Sequence, residues 1–158
     1  MTVKSPSYTI ESEQAERWAA ERVAELMGVL NAATAELVSV IATVIDTAAW
    51  GGWGVRTPAH WVAWKAGVSP ARARSLVAMA RRLPELPTVA AAFASGALGE
   101  DSVRLVVRHT PPERDAEVAE LAGMMTCTQL ARTLRSLPPV DAASPDEAAE
   151  RPEPDDGG

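Results

Sequence analysis

TPAHWVAWKAGVSPARARSLVAMARRL, residues Thr57 to Leu83, spells two short helices and the turn between them. Thr57-Pro58 and Ser69-Pro70 each set a hydroxyl side chain before a proline. The hydroxyl can accept from an orphan N–H of the first turn, and a proline at the first helical position lacks only an N–H that has no partner there. Gly67 falls where the first helix must stop and the chain must turn through the left-handed region. In the second helix Ala73, Leu76, Val77, Ala80 and Leu83 recur at the spacing of one buried face. Ala71, Ser75, Ala78 and Arg82 point away from it, with Arg74 and Arg81 on one flank and Arg72 on the other.

This stretch also concentrates positive charge. Between Asp46 and Glu85 there is no acidic residue, while the interval holds Arg56, Lys65, Arg72, Arg74, Arg81 and Arg82. With the small Ala63, the turn residue Gly67 and the core positions Ala73 and Leu76, the pair looks like a helix-turn-helix. On that reading Pro70 to Leu83 is the recognition helix, and Arg72, Arg74, Ser75, Arg81, Arg82, Lys65 and Arg56 are candidate contacts to double-stranded DNA. The same residues suit an ordinary helical hairpin with a solvated cationic face. The sequence leaves both readings open.

Upstream, the chain reads as one long helical spine. Ser12 is a candidate cap for a helix starting near Glu13, with Glu13 and Glu16 at the positive end of its dipole. Trp18, Val23, Leu26, Met27 and Leu30 continue it, and neither Gly28 nor Asn31 forces a break. From Leu37, the residues Val40, Ile41, Val44, Ile45 and Ala48 form a helical stripe that Val38 and Ala42 widen. This is a domain spine or half of a dimer interface running from Leu37 to Ala48. The most apolar stretch, Leu37 to Ile45, lies between Glu36 and Asp46 and is far shorter than the ~20 residues a bilayer span needs. No membrane partner is expected. Trp50, Trp53, Trp61 and Trp64 cluster around a glycine-rich corner, and burial in a helical core is expected over stacking on bases.

Downstream, Thr88 to Ser95 reads as a short alanine-rich helix around Phe93. Glu100 or Asp101 opens another, with Val103, Val106 and Val107 inward and Arg104 and Arg108 outward. Thr110-Pro111-Pro112-Glu113 and Thr126-Cys127-Thr128-Gln129 both have the form of capping boxes. The expected fold is therefore all-α: a spine helix, a helix-turn-helix-like hairpin and several short helices. The expected organisation is a flexible arm over 1–10, a helical domain over 11–137 and a disordered acidic tail over 138–158.

Composition narrows the chemistry. The 158 residues suit a single domain, and the apolar share of 47% is enough for a core. The net charge of −6 lies wholly in the tail, where Arg151 stands against seven acidic residues. Such a segment has almost nothing to bury. A lone Cys127 excludes an internal disulfide and a multi-cysteine zinc site, and reads as a small packing residue. His60 and His109 sit beside helix caps and read as surface or capping residues. No signal-peptide core is evident, so a cytoplasmic setting is expected. No catalytic constellation, metal site, cofactor motif or small-molecule substrate site is apparent.

The string from Trp53 to Arg135 resembles the 13E12 repeat family, the domain of unknown function numbered 222. It carries Trp61 to Trp64, Gly67-Val68-Ser69-Pro70, Leu83-Pro84-Glu85-Leu86 and Gly96-Ala97-Leu98 in the family's order. The resemblance implies a helical region typically followed by an HNH endonuclease module and linked to mobile elements. The histidines, asparagine and cysteine that such a nuclease site needs are not spaced for it here: His60, His109, Asn31 and Cys127 stand apart. The resemblance thus implies a DNA-associated helical module without the nuclease site, and no enzyme in this chain alone. The residues equally suit a helical protein–protein or dimerisation module that binds no nucleic acid.

Overall fold

Residues 10–138 are described in the computed structural model, and among them the chain forms seven α-helices and no strand beyond an isolated bridge between Gly52 and Val55. In chain order they are α1 (Ile10–Asp46), α2 (Pro58–Ala66), α3 (Pro70–Arg82), α4 (Pro87–Ala94), α5 (Glu100–His109), α6 (Asp115–Met124) and α7 (Cys127–Ser136). Short 3-10 turns at Leu83–Glu85 and Pro112–Arg114 lead into α4 and α6. The all-α expectation and the long N-terminal helix both hold. The expected arm over 1–10, apart from the helical Ile10, and the tail after Pro138 lie outside the described residues.

Local signals set most helix ends. Thr57 Oγ1 accepts from His60 N–H at 3.1 Å and Ser69 Oγ accepts from Arg72 N–H at 3.2 Å, so both threonine-proline and serine-proline starts cap as read. Gly67 closes α2 with φ +65°. Thr126 and Gln129 form a reciprocal capping box on α7. Two expected caps differ. Ser12 lies inside α1, which is already helical at Ile10. Thr110 makes no box: its Oγ1 is buried without a hydrogen-bond partner among the described residues, and Pro112 opens a 3-10 turn instead.

The core is built around α3, which packs against α1, α2 and α5. Ala73, Leu76, Val77, Ala80 and Leu83 are buried as their spacing predicts, joined by Met79. Phe93 of α4, Val103 and Val106 of α5, Val118 of α6 and Leu130 of α7 complete one continuous cluster. The spine contributes only its C-terminal part, through buried Val38 and Ile41 with Ala35, Leu37, Ala42 and Ile45 packed alongside. Val40, read as part of that stripe, is exposed, and Ala48 lies beyond the helix. Ala48 adopts φ +54°, and Ala49 N–H reaches back to the Val44 carbonyl at 3.0 Å. This is the left-handed helix ending usually given to glycine.

One close approach fixes where α1 meets the rest. Gly96 has φ +83°, and a Cβ there would collide with the Gly28 carbonyl oxygen. Asn31 Nδ2 donates to the Gly96 carbonyl at 3.3 Å beside it. N-terminal to Gly28 no residue of α1 is buried. Because the helix continues through Leu26, Met27, Val29 and Leu30, its apolar run is longer than the Leu37 to Ile45 stretch suggested. An 18-residue window has mean hydropathy 1.7, which by length and composition alone suffices to cross a membrane.

The tryptophan expectation fails at two positions. Trp61 packs against the core and Trp50 is half-buried, but Trp53 and Trp64 are exposed. The glycine-rich corner carries Trp53 out into solvent, and Trp64 lies on the outer side of α2, where the Lys65 ammonium sits 3.9 Å from its ring centre.

Candidate functional site

The hairpin of α2 and α3 exists as read, but its cations are distributed differently from a single free patch. Arg72 points toward α5, where its Nε and Nη2 bond both carboxylate oxygens of Glu100 at 3.0 and 2.7 Å. That fork raises the Arg72 pKa further, through the hydrogen bonds first and the opposite charge second. Arg82 is half-buried, donating to the carbonyls of Val107 and Thr110 at 3.2 and 2.7 Å and pairing with Glu85. It ties the end of α3 to the end of α5. The expectation of cations without counter-charges is therefore corrected at these two positions, because the carboxylates arrive from α5 and from the turn after α3. Ser75 Oγ is buried, with no hydrogen-bond partner among the described residues.

What remains exposed on α3 is a narrow strip. Arg74, Ala78 and Arg81 lie along it, with no ion pair to either arginine among the described residues. Thr57 and Ala59 of the α2 start adjoin Arg74 and Arg81 across a shallow groove. Arg56 is exposed just before the Thr57 cap, and Lys65 is occupied by the Trp64 ring. The structure thus brings Arg74 and Arg81 together, and turns Arg72, Arg82 and Ser75 to other surroundings.

A cleft of about 730 Å³ opens between α1 and the starts of α3, α5 and α7. Asn31, Thr34, Ser75, Ser102 and Cys127 line it together with Arg72, Glu100, Asp101 and Arg104. Its charges cancel locally, since Arg72 pairs with Glu100 and Arg104 with Asp101 at 3.0 Å. Cys127 Sγ lies 3.4 Å from Ser102 Oγ. Among the described residues no cluster of His, Cys, Asp or Glu has the arrangement to hold a metal ion.

The most distinctive surface was not picked out by the sequence reading. Over residues 10–30 every side chain of α1 is exposed, with only Gly28 part-covered. Yet this arm carries Trp18 at 68% exposure, Val23, Leu26, Met27, Val29 and Leu30. Apolar residues on a helix normally mark the face turned to the core. In the sequence these residues only continue the spine helix, and the fold shows that the described residues supply them no cover. Six large apolar side chains left exposed between Trp18 and Leu30 are the kind of surface that marks an interaction site in soluble proteins.

Neither a curated protein nor a solved structure matches this chain. A family model does match, over residues 20–157, which takes in half of the exposed arm, the hairpin and every later helix. On that match the chain belongs to the family described as a domain of unknown function, DUF222.

Proposed function

We propose that this chain is a helical protein–protein interaction module whose docking element is the N-terminal arm of α1. One observation carries the reading: the arm exposes Trp18, Val23, Leu26, Met27, Val29 and Leu30 between its charged residues, and none of its side chains is buried among the described residues. The body from Asn31 onward anchors the arm through Val38, Ile41 and the Gly28–Gly96 contact, so the arm's helix is held in a fixed direction. A pre-ordered helix binds at lower entropic cost than a flexible segment that must fold on contact. The reading assigns no catalytic step to the chain.

The test is site-specific photocrosslinking in cells. A photoreactive residue at Leu26 gives protein adducts on this reading, whereas the same residue at Arg108, exposed on α5, gives none. Adducts of equal yield from both positions, or none from Leu26, remove the reading.

A second reading is favoured by the Arg74–Arg81 strip. The likeness to the 13E12 repeat family supports an association with double-stranded DNA, beside an HNH nuclease module of a mobile-element-linked protein. With Arg72 and Arg82 engaged elsewhere, the electrostatic footprint is reduced to Arg74, Arg81 and Arg56. Each phosphate neutralised steepens the salt dependence of duplex binding. This reading expects a shallow salt slope that flattens in the Arg74→Ala/Arg81→Ala variant and persists in Leu26→Asp. A slope unchanged by removing both arginines eliminates it.

A further inference from the structure

We infer that the occupant of the α1 arm is a second copy of this chain, paired antiparallel about Gly28. The inference rests on the interaction reading above and names its partner. From Ala19 to Val44 the side chains facing one direction on α1 follow an alternating spacing of four and three, the seam spacing of paired helices. This seam runs along the edge of the face that meets the body: Leu26, Leu30 and Val40 are about half exposed and Leu37 packs at the core's margin, while the body takes Val38 and Ile41 outright.

Self-complementarity fixes the partner and the direction. Centred on Gly28, Leu26 of one copy meets Leu30 of the other, Val23 meets Ala33 and Ala19 meets Leu37. Each small residue lies opposite a large one, and the two-fold axis repeats every layer. A parallel pair would instead stack Ala19 on Ala19 and Ala33 on Ala33, leaving gaps. The antiparallel register also sets Arg22 beside Glu36 of the other copy, twice, and these are the only charges flanking the seam between Ala19 and Leu37. Within one chain Arg22 pairs with Glu25 at 2.6 Å, but both are well exposed, so exchanging that partner costs little. The seam ends where Val40 would meet Glu16.

The body's position agrees. Its close backbone contact with α1 begins at Gly28, so antiparallel pairing lays each bare arm along the body-bearing half of the other copy and keeps the two bodies at opposite ends. A parallel pair would leave both arms projecting together, uncovered by any body.

The test uses the full chain. Light scattering should give twice the 16.7 kDa monomer mass, and the Leu26→Asp/Leu30→Asp variant should give the monomer with its helical content unchanged, because both side chains are already exposed. In a Cys127→Ser background, Val29→Cys lies near its own copy across the axis and forms an oxidised dimer, whereas Ala19→Cys does not. Arg22→Glu should weaken association several-fold, and adding Glu36→Arg should restore it. A crosslink at Ala19→Cys without one at Val29→Cys overturns the antiparallel pairing. A monomer at high micromolar concentration overturns the second copy altogether. If Leu26 then crosslinks to a different protein, the interaction reading survives without this inference. If the chain instead sediments with phosphatidylcholine vesicles in a way lost in Leu26→Asp, both fall.

Discussion

The two halves of α1 are equally helical and both carry large apolar side chains, more interspersed with charge in the N-terminal half, yet only one of them belongs to the core. Residues 31–46 give Val38 and Ile41 to the body, while residues 10–30 give it no buried side chain. Helical periodicity reports that a face wants cover, and it is silent on where the cover comes from. In the C-terminal half α3 and α4 supply it. In the N-terminal half nothing in the described chain does.

The sharpest way to break this contrast is to trim one residue on each side of Gly28. Ile41 is 1% exposed, so Ile41→Ala removes buried methylenes and leaves a cavity, costing about 3 kcal/mol. Trp18→Ala deletes a far larger side chain from the arm and should change unfolding free energy by less than about 0.5 kcal/mol, because Trp18 is 68% exposed and no described residue buries it. Urea denaturation followed by far-ultraviolet circular dichroism at submicromolar concentration, with the arm in its uncoupled state, measures both. Comparable losses at the two positions would mean that the arm is part of the cooperative unit.

The contrast also shows what could be read in the sequence. Signals acting over three or four residues were legible: the Thr57 and Ser69 caps, the Thr126 box, the Gly67 stop and the buried face of α3 all formed as read. So did the all-α class, because that class is a sum of such local signals. Features depending on a residue far along the chain were not legible. Arg72 finds Glu100 and Arg82 finds the Val107 and Thr110 carbonyls, each pairing more than twenty residues apart, so a cationic block in the sequence is not one in space. The exposure of Trp53 and Trp64 shows the same limit, since residue type predicts the area available for burial and not which side of a helix has a neighbour.

A second test acts at the boundary itself. Gly96→Ala forces a left-handed alanine and drives its Cβ into the Gly28 carbonyl, so α1 must shift from the α4–α5 turn. The expected loss is about 2–3 kcal/mol, from the disfavoured φ and from overpacking against backbone. Gly28→Ala is the control, since a Cβ there meets nothing within 4 Å. It should stabilise α1 by about 0.5–1 kcal/mol through helix propensity alone. Equal effects from the two glycines would show that the crossing does not fix the arm.

The smallest effect separates body from arm by pH. α4 begins at Pro87 after Leu86, which offers no capping side chain. The cap comes instead from α6: the Asp115 carboxylate accepts from Thr88 N–H at 2.6 Å and Val89 N–H at 3.0 Å. Burial alone would push this carboxyl up, but the hydrogen bonds from Thr88 and Val89 together outweigh it and hold its pKa below the ordinary value. A carboxylate depressed in the folded state contributes stability that is present above the unfolded value of about 3.9 and is lost as pH falls through the folded one. Asp115→Asn keeps the shape but loses the charge, and should cost about 1–2 kcal/mol at pH 7. The gap to wild type should close progressively below about pH 4, as the wild-type carboxylate takes up its own proton. The arm holds no counterpart to this group, since all of its glutamates are exposed. A gap that stays constant from pH 7 to pH 3 would mean that Asp115 supports α4 by shape and not by charge.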